Sequence, residues 1–340
     1  MKGGNNMLKT IIVGAGAISY AHAEALTKLG VEICGVFDVN KESALKLALK
    51  YNSVAVDSIE EVVKDADMVH LCTPPSKRLE YAEIAMAAGC HVVTEKPIAI
   101  SIEDAQSMVE MGKKYNVKVM VDYNHRFRDG FQQLLDIVKS GRIGDIVDVF
   151  VYRKGMLGEN SGSKNDTWRR VPGMACGMTI ESLSHDIDMI LQLAGPLSDV
   201  KADIRGTLTG LPEFDNNVHV SFNLKSGAMG LMHASWSSYL KGSSRGVIGT
   251  NGTVILEGDD IFDYTRLRIK TKDMKCEEVF VLNDAYDLLN CPSYYNANKH
   301  FIECIQNNTE STASGEYALG TLKISHAILE SAKTQMPVNL

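Results

Sequence analysis

The chain has 340 residues and a formal net charge of −7 at pH 7. It is long enough for two domains and a large core, and an acidic balance without any Lys/Arg cluster argues against a nucleic-acid partner. No apolar stretch approaches the length of a membrane span, and Met1 to Asn6 lacks the apolar core of a signal peptide, so a cytoplasmic protein with no membrane partner is expected. In chain order, Thr10 to Val13 is a β-branched apolar run that reads as a buried strand. Gly14-Ala15-Gly16-Ala17-Ile18-Ser19 follows it, and Tyr20 to Leu26 reads as a helix. A strand, a tight glycine turn and a helix form a phosphate-binding unit of a dinucleotide fold. Gly14 permits the turn, Gly16 lets backbone approach a pyrophosphate, and the helix N-terminus offers free N–H groups and a partial positive charge. Ser19 stands where the pattern has its third glycine. A second apolar run, Ile33 to Phe37, ends at Asp38. That position, about twenty residues past the turn, is where a carboxylate would hold a ribose 2′-hydroxyl. A plain turn-opening aspartate is the other reading.

Val69 to Thr73 is the next clear strand, ended by Pro74-Pro75. Arg78 to Ala88 is amphipathic and helical, with Gly89 as its C-cap, and His91 to Thr94 is again a strand. Ser101 with Asp104 opens another helix in the manner of a capping box, and Val117 to Val121 is counted as a sixth strand. Strand–helix alternation predicts a doubly wound parallel sheet over residues 1–125. From 126 to 340 the rhythm changes. A helix at Phe131 to Lys139 precedes a strand at Ile146 to Arg153, a polar loop at Gly158 to Asp166 and a helix at Cys176 to Ala194. Hairpin-like runs then extend from Val218 to Leu282, with Thr250-Asn251-Gly252 as a turn, and helices over about 294–307 and 316–333 close the chain. The second domain is therefore read as α+β with a mainly antiparallel sheet. The seven cysteines make no C-x-x-C pair and read as reduced, buried thiols.

Two constellations could carry chemistry. Glu95-Lys96-Pro97 comes directly after a predicted strand, counted as the fifth. Ligands of open α/β sheets bind beyond the carboxyl ends of strands, so Lys96 points toward a cofactor crevice, although a solvated surface lysine is the default. Pro97 sets the chain direction and admits a cis bond. On the helix at 176–194, Ile180, Leu183, Ile187, Ile190, Leu191 and Ala194 share one arc, whereas Glu181, His185 and Asp188 share another. Glu181 and His185 are four residues apart. A carboxylate beside an imidazole fixes its tautomer and raises its basicity, which suits a general base. A solvated polar face is the bland alternative, to which spacing alone leans. A metal site from the same three residues is a third reading, but the surrounding sequence matches no metal motif and no metal is expected.

These motifs, together with Thr73-Pro74-Pro75-Ser76, Tyr123-Asn124-His125-Arg126-Phe127, Thr167-Trp168-Arg169, Glu181-x-x-x-His185-Asp186-Ile187-Asp188 and the closing Glu330-Ser331-Ala332, resemble the Gfo/Idh/MocA oxidoreductase family over nearly the whole chain. The resemblance implies a nicotinamide-binding Rossmann domain paired with an α/β domain bearing an open sheet. It implies oxidation or reduction of a secondary alcohol or ketone on a sugar, inositol or related polyol. Lys96 and His185 would flank the reacting carbinol, with Glu181 beside the histidine. The cofactor set would be Gly14, Gly16, Ala17, Ile18, Asp38, Thr73, Pro74, Glu95 and Lys96, and Asp38 favours NAD over NADP. Tyr123, Asn124, Arg126, Trp168, Arg169 and Tyr295 join Lys96, Glu181 and His185 as substrate contacts. Two departures stand out. Glu181 replaces a frequent aspartate, and Lys77 or Arg78 falls where a histidine is common. An NAD-dependent glycosidase with transient oxidation is a same-fold rival, and a dinucleotide-binding sensor is a non-catalytic one. The presence of both Lys96 and His185 argues against the sensor. A homodimer or homotetramer through the open sheet face is expected, since Val218 to Leu224 and Met229 to Trp236 read as apolar on both faces.

Overall fold

The computed structural model describes residues 7–156, 174, 176–207, 214–284, 286–289 and 292–340. It opens with β1 (Lys9–Val13), α1 (Ala17–Lys28), β2 (Glu32–Phe37), α2 (Lys41–Lys50), β3 (Met68–Leu71), α3 (Arg78–Ala87), β4 (His91–Glu95), α4 (Ile102–Tyr115) and β5 (Val119–Asp122). The five strands form one parallel sheet in the order β2-β1-β3-β4-β5. Helices cover a sheet of this kind on both faces, which is why β3 and β5 are buried at every residue and read as unbroken apolar runs. The sheet has five strands rather than the six counted from sequence. Among the described residues a single bridge, Val36 to Ala55, lies outside the named strands on the β2 side. The predicted cap of α4 is present, with the Ser101 hydroxyl accepting from the Asp104 N–H at 3.1 Å. Asn116 ends that helix in the left-handed conformation.

The chain continues with α5 (Asp129–Lys139), β6 (Ile146–Met156), α6 (Gly177–Glu181), α7 (Leu183–Ala194), β7 (Leu197–Arg205), β8 (Asn217–Leu224), β9 (Met229–Ser235), β10 (Ser237–Gly249), β11 (Gly252–Gly258), β12 (Tyr264–Thr271), β13 (Glu278–Asp284), α8 (Pro292–Gln306), α9 (Gly315–Thr334) and β14 (Val338–Asn339). A nine-stranded sheet runs β13-β12-β11-β10-β6-β9-β8-β7-β14, antiparallel at every pairing except β6 with β9. The predicted Thr250-Asn251-Gly252 turn joins β10 to β11. The single helix expected over 176–194 is two, broken at Ser182.

The chain groups into two compact units, Met1–Asn124 with Asp287–Gly320, and His125–Tyr286 with Thr321–Leu340. The first thus takes in 287–320, a segment that the sequence reading placed with the C-terminal domain. Alanine and serine at 313–314 explain part of this. Ala313 accepts the Val121 N–H at 2.9 Å, and Ser314 bridges Met120 on β5. The second unit has its own core of inward-facing sheet residues packed with α5, α7 and the later part of α9, among them Phe131, Val149, Leu183, Ile187, Phe222, Val254 and Ile328.

The other sheet face corrects an expectation. On β8, Val218, Val220, Phe222 and Leu224 all point inward, and His219, Ser221 and Asn223 point out, so its alternation is clean. On β9, Met232 and Ala234 are buried, while Met229 and Leu231 are more than half exposed. With Tyr152 and Ile248, also exposed, they give the outer face an apolar patch. Cys276 is exposed and Cys34, Cys72 and Cys176 are half-buried, so the thiols are less uniformly buried than expected; no disulfide joins the described cysteines.

Candidate active site

The glycine turn has the form its sequence implies. Gly14 sits at φ +96°, a conformation open to glycine, and a Cβ there would meet the Cys72 carbonyl group at 2.8 Å. At Gly16, the N-cap of α1, a Cβ would meet no atom within 4 Å, which leaves the backbone open to a ligand. Ala17 and Ile18 begin the helix, and its first turn carries no acidic residue. These are the conditions for an anion at a helix N-terminus, so the residues present fit a dinucleotide pyrophosphate. Ser19, in place of the third glycine, is fully buried and donates its hydroxyl to the Gly14 carbonyl at 2.5 Å, closing the turn on itself. Asp38 is half-buried at the end of β2. One carboxylate oxygen accepts from the Ala15 N–H at 2.6 Å and the other from the Asn40 N–H at 2.7 Å. The carboxylate is therefore tied to the glycine turn itself.

Thr73 and Pro74 follow β3, Glu95 ends β4 and Lys96 and Pro97 follow it, with the Lys96–Pro97 peptide cis. A residue that sequence reasoning had only noted as a departure ties the two turns together. Arg78, at the start of α3 and 4 % exposed, donates from Nε to the Thr73 carbonyl at 3.0 Å. Its remaining nitrogens donate to the carbonyls of Glu95 and Pro97 and, at 3.5 Å, of Lys96. Glu95 itself turns inward. His22 Nε2, from α1, lies 3.0 Å from Glu95 Oε1 and 3.5 Å from Asp122 Oδ2. Glu95 and Asp122 are register partners on neighbouring parallel strands, so the imidazole stands between two carboxylates that would otherwise repel. Burial alone would lower the His22 pKa; the hydrogen bond to Glu95 and then the charges of Asp122 and Glu95 outweigh it, and the pKa is raised. Burial would raise Glu95, but His22, Lys96 and Arg78 hold it below the usual carboxylate range. Behind His22 lies Asn298 of α8, whose amide nitrogen is 3.2 Å from Nδ1 and whose oxygen is 2.6 Å from His70 Nε2. Among the described residues His22, Glu95 and Asp122 are also the one set of side chains close enough together to share a metal ion, and the hydrogen bond already accounts for their approach. Tyr123 and Asn124 are buried, the first edge-on to Tyr317 and the second donating to Ser293 at 3.2 Å; Tyr295 is half-buried on α8, and Lys96 is half-buried.

In the second unit the sequence places Glu181 on α6 and His185 and Asp188 on α7, and none of them is solvated. Glu181 is 5 %, His185 7 % and Asp188 0 % exposed, which excludes the polar-face reading. Gly177 opens α6 at φ +68°, where a Cβ would strike Asp215 at 1.7 Å. Asp215 uses the space to accept from the Thr179 N–H at 2.8 Å and its hydroxyl at 2.5 Å, fixing the helix start. Asp188 pairs with Arg126 through both carboxylate oxygens, so the metal reading loses a ligand and Arg126 is engaged inside the protein. Asp186, absent from the sequence shortlist, serves two buried guanidiniums, Arg153 at 2.6 Å and Arg245 at 3.5 Å. Arg153 also donates to Ser182 at 3.0 Å, at the break between α6 and α7. The ring laid on His185 is that of His125, with centroids 4.2 Å apart and 24° between planes. Nothing in the spacing pointed to His125. Its only signal was its place inside the Tyr123–Phe127 run. Trp168 and Arg169 lie outside the described residues.

Comparison with known proteins identifies the family and the fold. Residues 8–123 match the oxidoreductase family described as having an NAD-binding Rossmann fold, and residues 131–255 match the GFO/IDH/MocA C-terminal domain. The chain is 25 % identical to inositol 2-dehydrogenase of Rhizobium meliloti over 97 % of its own length and 98 % of the relative's. It is 29 % identical to glucose-6-phosphate 3-dehydrogenase of Bacillus subtilis, a match that spans 48 % of this chain and 46 % of that protein. The solved structure of levoglucosan dehydrogenase with NADH and levoglucosan has the same fold, with a TM-score of 0.88 at 20 % identity, covering 98 % of this chain and 99 % of that one. With an NAD-binding Rossmann domain followed by this C-terminal domain, the chain belongs to the Gfo/Idh/MocA family of oxidoreductases.

Proposed function

We propose that the protein is an NAD-dependent dehydrogenase or reductase acting on a secondary alcohol or ketone of a sugar, inositol or related polyol. The observation that carries this reading is the burial of His185 on α7, in a unit separate from the glycine turn and Asp38, with a ring stacked on it and Asp186 and Asp188 held by arginines. A buried imidazole placed so deliberately fits a proton acceptor better than a surface residue. In the oxidation direction His185 takes the hydroxyl proton. Lys96, cationic, stabilises the developing alkoxide by charge and hydrogen bonding. Glu181 contributes beside His185. Nicotinamide, when bound, supplies the hydride chemistry. Asp38 holds the ribose hydroxyls, and Gly14, Gly16, Ala17 and Ile18 present backbone to the pyrophosphate, with Thr73, Pro74 and Glu95 completing that half. The names of the relatives, an inositol and a sugar-phosphate dehydrogenase among them, support a polyol or sugar substrate. The apolar patch around Met229 and Leu231 supports assembly into a homodimer or homotetramer through the outer sheet face.

The test is a pair of variants on a verified substrate. Lys96→Ala and His185→Ala should each lower kcat by about 10²–10⁴ with NAD affinity nearly unchanged. Near-normal turnover by both would remove the assignment.

A further inference from the structure

On the reading that His185 accepts the substrate proton, we propose that His125 is a positioning residue whose ring, laid face to face on His185, fixes the plane in which the acceptor nitrogen is presented. The backbone of α7 sets where the His185 side chain starts but not the plane of its ring, because the terminal torsion of an imidazole is broad. His125, 4.2 Å away and 24° from parallel, lies face to face on the ring and restrains that rotation. His125 is itself wedged. Phe262 meets it edge-on at 5.9 Å, Tyr264 of β12 at 6.4 Å, and Tyr286 lies at 6.0 Å. The Tyr264 hydroxyl is 3.4 Å from His125 Nδ1. Both histidines are more than nine-tenths buried.

The surrounding charges suit such a partner. Arg128 precedes α5, Arg153 lies on β6 and Arg245 on β10. Asp284 of β13 answers Arg128, and Asp186 of α7 answers the other two, with the Arg126–Asp188 pair two residues further along. Burial first, then His185, Arg128, Arg245 and Arg153, hold His125 well below the ordinary imidazole range. It therefore stays neutral, and a neutral ring can stay stacked when His185 gains a proton, where a second imidazolium could not.

The experiment compares His125→Phe, which keeps a planar ring, with His125→Leu, which fills similar volume without one. His185→Gln and the melting temperature of every variant serve as controls. The expected result is a kcat for the Leu variant about tenfold or more below wild type, with unchanged KM for NAD. The Phe variant should recover at least a third of wild-type kcat, with the acidic limb of kcat/KM where wild type has it. Equal kcat for folded Leu and Phe variants would overturn the proposal. So would a displaced acidic limb in the Phe variant, since it would mean that His125 is the group that titrates. His185→Gln with normal turnover overturns the proton-acceptor reading and this inference together, whereas an inactive His185→Gln with a fully active Leu variant overturns this inference alone.

Discussion

Arg78 grips the backbone of Glu95: the guanidinium donates to the Glu95 carbonyl oxygen, while the Glu95 carboxylate faces His22. The same guanidinium reaches the carbonyls of Thr73, Lys96 and Pro97, so one buried side chain sets the shape of both turns that precede the proposed chemistry. Arg78→Met should leave several buried carbonyls unmet, at about 1–3 kcal/mol each. Calorimetry should show a melting temperature lower by on the order of 5–10 °C, and kcat should fall with it. Arg78→Lys, with one ammonium in place of a fork, should recover little of either. A Met variant as stable and active as wild type would contradict the role.

Asp38 predicts cofactor choice. The N–H groups of Ala15 and Asn40 anchor its carboxylate, which on the proposed reading would repel a 2′-phosphate. Wild type should prefer NAD by kcat/KM, and Asp38→Ser should move the NADP/NAD ratio toward NADP by on the order of 10–100-fold. A wild-type preference for NADP sinks the reading.

The His22 site predicts a pH signature in stability. Its pKa is raised in the fold from the ordinary 6.5, so its contribution is present in full below 6.5 and is lost as pH rises through the folded value. The melting-temperature gap between wild type and His22→Gln should be widest near about pH 6 and narrow toward about pH 9. A gap that stays flat or widens with pH refutes it.

The outer sheet face predicts assembly. Light scattering at micromolar concentration should report a dimer or tetramer. Leu231→Glu, which puts a charge at an exposed apolar position, should shift the mass toward monomer with little change in melting temperature. A wild-type monomer would rule this face out as an interface.

Much of the first unit was legible because its signals are local. A glycine turn, an N-cap and a β-branched strand each act within a few residues, so Gly14, Gly16, Asp38 and the Ser101 cap stand where spacing put them. The run Val218 to Leu224 reads as apolar on both faces, yet Val218, Val220, Phe222 and Leu224 lie two apart and so share one. What sequence could not show are contacts between distant positions. His22 meets Glu95 and Asp122 from 73 and 100 residues away, and Arg128 reaches Asp284 across 156. The polar arc of Glu181, His185 and Asp188 looked solvated for the same reason. Its partners, Arg126 and His125, lie some sixty residues upstream, and periodicity carries no information about them.

On the proposed function this chain moves a hydride between NAD and a polyol or sugar carbinol. The most direct measurement supplies the enzyme and NAD with a panel of inositols, sugars, sugar acids and nucleotide-linked sugars, and follows reduced-cofactor absorbance. NADH accumulating in proportion to one oxidised substrate is the predicted result. Cleavage of a glycoside with no net NADH, or NAD binding with no turnover across the panel, would contradict it.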